Sequence, residues 1–203
     1  MSVTKTATNT SFPSAIPFED SSLGKAVSLL LSHQKDDGYW WYTLEANETI
    51  GAGFLMLSHF TGTVDPEIQS GLATRMLSLQ REDGSWAIHG DPGDLSATIE
   101  CYLALKLAGK SVDDPAMAKA RAFILAKGGL TKMRAFSRIH LALFGLAPWS
   151  SCPSMPVWFM LLPPALGVSI YEFSSWARAS IVPLLLIDAV KPVRSVPFTL
   201  DEL

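Results

Sequence analysis

Neighbouring carboxylates are the groups in this sequence best suited to acid catalysis, because two carboxyls that lie together can share a proton. Two adjacent pairs of aspartates occur, Asp36-Asp37 and Asp113-Asp114. The first lies in an Asp-Gly turn, and the second stands before Pro115, where an aspartate is typical of a helix N-cap. Both pairs therefore have a structural explanation, and the sequence predicts no catalytic acid.

Histidine and cysteine, common ligands of transition metals, show no ligand spacing. The two cysteines, Cys101 and Cys152, lie far apart and match neither a zinc nor a redox motif. We interpret both as core thiols of a protein in a reducing, intracellular compartment. The sequence predicts neither a metal site nor a cofactor.

A repeated motif is the most informative pattern in the chain. Gln34 to Trp40 and Gln80 to Trp86 both read Q-x-x-D-G-x-W. A period of about 20 to 50 residues indicates stacked supersecondary units. In each copy the glycine, Gly38 or Gly84, can adopt the positive φ that a tight turn requires.

Helices must position these turns. Apolar residues recur at helical spacing before each motif, and a further apolar run follows each one. The sequence therefore predicts an all-α array of helical hairpins, which stack into a solenoid or close into part of an α/α barrel. The predicted helices cover residues 23–31, 49–60, 66–77, 94–107, a third, decayed pair over 115–126 and 132–143, and a buried helix over 170–190 that Pro183 kinks.

The composition agrees with a globular core and excludes some partners. Of 203 residues, 48% are apolar and 17% are charged, and the formal net charge is −3. Soluble domains carry about 25% charged residues, so this chain can bury a sizeable core. Without a basic patch, we expect no binding to nucleic acid.

The first residues and one long uncharged stretch bear on localisation. Residues 1–22 are rich in serine and threonine and lack the apolar block of a signal peptide, so we expect a flexible tail before a helical-repeat region at 23–203. Residues 139–171 contain no Asp, Glu, Lys or Arg. Five prolines argue against a membrane-spanning helix there, which leaves a buried loop or contact with a membrane surface.

The two Q-x-x-D-G-x-W copies resemble the QW motifs of the terpene cyclase/mutase family. Four further strings are similar to the N-terminal part of squalene-hopene cyclases: Asp94 to Glu100, Lys127 to Gly129, Leu161 to Pro164, and Ile170 to Ala179. The resemblance extends from Leu23 to about Arg194.

This resemblance implies a class II cyclase with two α/α barrels, an active cavity between them and monotopic attachment to a membrane. The first helix would belong to one barrel, and most of the region after it to the other. The implied substrate is squalene or a similar linear isoprenoid, which an acid protonates at a terminal alkene before the rings close. The family's acid motif, D-x-D-D, is absent from this sequence, so we expect an N-terminal portion that is inactive alone.

The resemblance also implies roles for particular residues. Trp176 matches a tryptophan that contacts substrate, and Phe173 and Ile181 match positions near a narrowing of the access channel. The residues alone permit another interpretation, in which Phe173 and Trp176 are core side chains on one helix face. The structural QW positions, where the glutamine amide would bond to a neighbouring helix and pack on the tryptophan, are Gln34, Gly38, Trp40, Gln80, Gly84 and Trp86.

Two further interpretations of function stay open. One is an isoprenoid-binding or interaction module derived from a cyclase, and the other is an unrelated helical-repeat scaffold. An incomplete array of hairpins leaves an apolar face uncovered, so we also expect self-association.

Overall fold

A computed structural model gives the fold and describes residues 17–42, 46–90, 92–154, 156–167 and 169–203. The all-α prediction is confirmed. Two compact units divide the chain, Met1–Glu45, which contains the first helix, and Ala46–Leu203, which contains the others. The helices are α1 Ser22–Ser32, α2 Glu48–Thr61, α3 Pro66–Ser78, α4 Leu95–Leu107, α5 Pro115–Ala126, α6 Ala135–Leu143 and α7 Ser175–Val190.

Short polar side chains fix where several helices begin. Asp65 accepts hydrogen bonds from the backbone N–H groups of Glu67 and Ile68 at 2.9 and 3.1 Å, and Pro66 occupies the first position of α3. Asp94 accepts one from Ala97 at 2.7 Å at the start of α4. These bonds satisfy backbone donors that have no partner within the helix.

Helix α4 is the centre of the second unit. Every residue from Ser96 to Leu105 is buried, and the helix packs against α2, α5 and α6. A helix that is apolar on all sides is stable only when other elements surround it. The predicted stripe on α5 lies in the same core, since Met117, Ala120 and Ile124 are fully buried.

The extended segment after α7 closes one side of this core. The backbone N–H of Arg194 donates to the carbonyl of Leu143 at 2.8 Å, and its guanidinium donates to the carbonyl of Phe60 at 2.7 Å. Leu200, farther along the segment, is buried in the core. The chain end thus contributes to the fold of the second unit.

The prediction of a deeply buried helix over residues 170–190 is wrong in two respects. Residues 170–172 form a short 3-10 helix, and α7 begins only at Ser175, where Ser174 caps it by accepting from the Ala177 N–H. Leu185 is the one buried residue of α7. Apolar composition indicated burial, but few described elements pack against this helix.

Among the described residues of the first unit, a 3-10 helix at Phe18–Asp20 comes first, and Ser21 caps α1 by accepting from the Gly24 N–H at 3.0 Å. In the last part of the predicted tail, residues 18–20 form this 3-10 helix and residue 22 begins α1, while residues 1–16 lie outside the described residues. The predicted apolar stripe of α1 is largely exposed, including Leu23, Leu30 and Leu31.

Candidate functional site

The second Q-x-x-D-G-x-W turn is linked to α3 and α5 through hydrogen bonds. The amide of Gln80 donates to the carbonyl of Gly84 at 2.9 Å and to the carbonyl of Ala116, in α5, at 2.8 Å. The indole N–H of Trp86 donates to the carbonyl of Met76 in α3 at 2.8 Å. Trp86 is completely buried, so this turn is part of the core.

The first turn makes the same local hydrogen bonds, but its tryptophan is more exposed to solvent. The amide of Gln34 donates to the Gly38 carbonyl at 2.7 Å, and the indole N–H of Trp40 donates to the Leu30 carbonyl at 2.6 Å. Trp40 is 45% exposed, in contrast to Trp86. The geometry of both turns is therefore set locally, whereas the burial differs.

The start of α7 carries the aromatic residues that the resemblance assigned to substrate. Trp176 is 81% exposed, which excludes the core interpretation for it within the described part of the chain. Phe173 is partly exposed and packs edge-on against Phe159, with ring centroids 6.2 Å apart. Both side chains are exposed to solvent in the described part of the chain.

Ile181, the third predicted substrate residue, lies one and a half turns farther along the same helix. It lines a cavity of about 150 Å³ together with residues of α6 and of the loop after it. Neither Phe173 nor Trp176 lines this cavity. The structure therefore does not bring the three predicted residues into one pocket.

A buried polar cluster between α4 and α6 was not identified from the sequence. The hydroxyl of Ser137 donates to the Glu100 carboxylate at 2.6 Å, and Nδ1 of His140 lies 3.7 Å from the same oxygen. Burial raises the pKa of Glu100, but the contacts with His140 and Ser137 lower it more, so the pKa lies below the usual glutamate value. Glu100 is therefore ionised at neutral pH.

The sequence did contain a signal for this cluster. Glu100 is the one acidic residue inside the apolar α4 segment, and a carboxylate at such a position requires partners. Nearby, the backbone N–H of Arg134 donates to the Ser96 hydroxyl at 2.8 Å, and its guanidinium lies 3.0 Å from Asp94. Because the partners come from α6, the cluster depends on how two separate helices pack.

Comparison with known proteins identifies the family. The family described as squalene-hopene cyclase N-terminal domain matches residues 23–203. The chain belongs to this family. It is 44% identical over 177 residues to a squalene–hopene cyclase of Alicyclobacillus acidocaldarius, an alignment that covers 87% of this chain and 28% of the relative.

Other members of the squalene-hopene cyclase family and its relatives align in the same way. A squalene–hopene cyclase of Zymomonas mobilis is 44% identical over 171 residues, which cover 83% of this chain and 26% of that protein. A dammaradiene synthase of Dryopteris crassirhizoma is 40% identical over 190 residues, which cover 92% and 28%. The chain thus spans little more than a quarter of the length of these relatives.

The described segments contain neither a metal-binding cluster nor a membrane-spanning helix. Within the described segments, no three His, Cys, Asp or Glu side chains come together as a metal site would need. No helix in those segments combines the length and the apolar character needed to cross a bilayer.

Proposed function

We propose that this chain forms part of the isoprenoid-binding wall of a class II triterpene cyclase, which converts squalene to a hopene-type polycycle. The exposed indole of Trp176 carries the proposal. A tryptophan face attracts a carbocation through its quadrupole by about 2 kcal/mol or more once water is excluded. An indole that is 81% exposed is available to line a cavity that is completed by other surfaces.

The same proposal assigns no initiating acid to this chain. Protonation of an alkene requires a carboxyl that holds a proton, and the D-x-D-D string does not occur in the sequence. Glu100, which is buried, has a lowered pKa and is ionised at neutral pH, so it is unsuited to donate a proton. We therefore infer that these 203 residues alone do not cyclise squalene.

Tryptophan fluorescence tests the binding part of the proposal. Squalene delivered from a cyclodextrin complex should shift the emission of Trp176 to shorter wavelength and protect it from acrylamide, because the indole would leave water. The signal is the difference between the wild-type chain and Trp176→Phe. Trp158→Phe is the matched control, since Trp158 is also exposed but lies in the loop before α7.

The outcomes separate the two parts of the proposal. A squalene response that persists in Trp176→Phe and disappears in Trp158→Phe would refute the role of Trp176. Gas chromatography of the same incubations should detect no cyclic product. A pentacyclic product would show that the chain holds its own acid.

A further inference from the structure

The cavity that Ile181 lines has the size of a small organic molecule. It lies between α6, α7 and residues 149–154, and its volume is about 150 Å³. An apolar cavity of about this volume in another protein stays dry and binds benzene. Most of its wall is aliphatic, formed by Ile139, Pro153, Ile181, Leu184, Leu185 and Ile187.

A hydrogen-bond donor without a partner belongs to the same wall. The indole Nε1 of Trp149 is buried, and no acceptor for it is found among the described residues. A buried N–H that is left unpaired is unfavourable, because it has lost its hydrogen bond to water. An occupant with an acceptor oxygen would satisfy it.

The wall also contains an acceptor. Asp188 of α7 lines the cavity, and its carboxylate accepts a hydrogen bond from the Ser154 hydroxyl at 2.6 Å. A carboxylate offers about four lone-pair sites, so it can accept a second donor. The residues that line the cavity therefore include one unpaired donor, one negatively charged acceptor and an aliphatic majority.

These features restrict the chemistry of an occupant. A hydrocarbon leaves the Trp149 N–H unpaired, an anion is repelled by Asp188, and an ammonium ion cannot accept from an N–H. A hydroxyl group can accept from Trp149 and donate to Asp188. Water could do the same, but it would leave the aliphatic wall without contacts.

We propose that this cavity is a binding site for a short aliphatic alcohol of about six non-hydrogen atoms, with its hydroxyl between Trp149 and Asp188. The cavity shares Ile181 with the predicted substrate residues, but Trp176 does not line it. Its existence does not depend on cyclase activity. Trp176→Phe should therefore leave alcohol binding unchanged.

Equilibrium dialysis in sealed cells, with the full chain, tests the proposal. The probes are 3-methylbut-2-en-1-ol, its methyl ether, which accepts but cannot donate, and 2-methylbut-2-ene, which does neither. The wild-type chain should bind the alcohol most tightly, the ether about three- to tenfold more weakly, and the alkene more weakly again, since one hydrogen bond changes affinity by about that factor.

Trp149→Phe removes the donor and keeps an aromatic ring. It should weaken binding of the alcohol and the ether about three- to tenfold and leave alkene binding unchanged, which also shows that the cavity is intact. Trp158→Phe, outside the cavity, should change nothing. Equal affinity for all three probes, no binding of the alcohol, or an equal loss for all probes in Trp149→Phe would overturn the proposal.

Discussion

At the scale of single residues, the glycines of the two motif turns have the same backbone but different surroundings. Gly38 and Gly84 both have a φ of 84°. A Cβ at Gly84 would lie 2.4 Å from the carbonyl carbon of Lys119 and 2.5 Å from its oxygen, in the backbone of α5. At Gly38 the nearest atom would be Nε2 of Gln34, at 3.9 Å.

This difference predicts unequal effects of one substitution. Gly38→Ala should destabilise its turn by about 1–2 kcal/mol, the usual cost of a left-handed backbone for a residue with a Cβ. Gly84→Ala has the same cost and must also displace α5, so we expect roughly twice that loss or more. Urea unfolding followed by circular dichroism measures the effect, and hydrogen exchange locates it.

Hydrogen exchange provides the control for this pair. Faster exchange in Gly84→Ala should include α5, whereas in Gly38→Ala it should be confined to the first turn and α1. Equal losses of unfolding free energy in the two variants would mean that α5 is displaced at little cost, contrary to the close approach of Lys119 to Gly84.

The two motifs also show what a local pattern can predict. The side-chain bonds from Gln34 and Gln80 to their own turns follow from the shared seven-residue pattern. The second bond of Gln80, to Ala116 in α5, does not follow from it. Hydrogen bonds inside a turn depend on neighbouring residues, while burial depends on which helix packs next.

At the scale of elements, α4 and α7 have similar apolar sequences and different environments. Only α7 was predicted to be buried, yet α4 is the buried helix, because α2, α5 and α6 surround it. In α7 only Leu185 is buried. Composition can predict that an apolar helix needs other elements packed against it, but it cannot predict which elements those are.

The sequence also did not predict how the C-terminal segment, which follows α7, attaches to the core. Lys106 of α4 donates to the Glu202 carboxylate and to the Thr199 carbonyl, both at 2.6 Å. The hydroxyl of Tyr102 donates to the same carboxylate at 3.0 Å. Individual contacts with the core hold this segment in place. Such contacts leave no helical or strand periodicity in the sequence from which they could be predicted.

The pKa of Glu202 makes this attachment dependent on pH. Burial raises the pKa, but the bonds from Lys106 and Tyr102 lower it more, so it lies below the usual glutamate value. A lowered pKa in the folded state stabilises the fold above the pKa of the unfolded chain, and this contribution is lost as the pH falls. The charged bonds should disappear at acidic pH.

We expect Glu202→Gln to lower the free energy of unfolding by about 1.5–3 kcal/mol at pH 7, the range for hydrogen bonds to charged groups. The difference from the wild-type chain should shrink below about pH 4.5, where the unfolded glutamate takes up a proton. Urea unfolding across pH measures it. Asp201→Asn is the control, because exposed Asp201 bonds only Thr199 among the described partners.

A Glu202→Gln effect that stays constant from pH 7 to pH 3 would contradict this assignment. It would mean that the loss arises from packing and not from the charge. An equal loss in Asp201→Asn would attribute the effect to the segment in general.

At the scale of the molecule, large apolar side chains remain on the surface. The loop before α7 exposes Trp158, Leu161 and Leu166, and α7 itself exposes Trp176 and Val190. The sequence predicted an uncovered apolar face from the repeats, and it predicted the family. It left open whether residues 139–171 are buried or contact a membrane, because uncharged composition permits both.

We propose that the loop surface formed by Trp158, Leu161 and Leu166 binds a membrane. Tryptophan and leucine are typical of surfaces that insert into the boundary between headgroups and acyl chains. No Lys, Arg, Asp or Glu lies between Ile139 and Tyr171, so attraction to charged lipid has little part there. Binding should therefore occur on neutral phosphatidylcholine vesicles and change little with salt.

Vesicle flotation tests this surface with one matched pair of variants. Leu161 is 80% exposed, and Leu161→Asp should lower partition to phosphatidylcholine vesicles about tenfold or more, because it loses the burial of one leucine, about 1.5–3 kcal/mol. Leu125→Asp, at an exposed leucine of α5, should bind like the wild-type chain.

If a second copy of the chain covers the loop instead, Leu161→Asp will shift sedimentation towards the monomer and vesicle binding will be absent from the start. Equal binding by both variants would exclude the loop as the contact, since an aspartate in an inserted surface cannot be tolerated without loss of affinity.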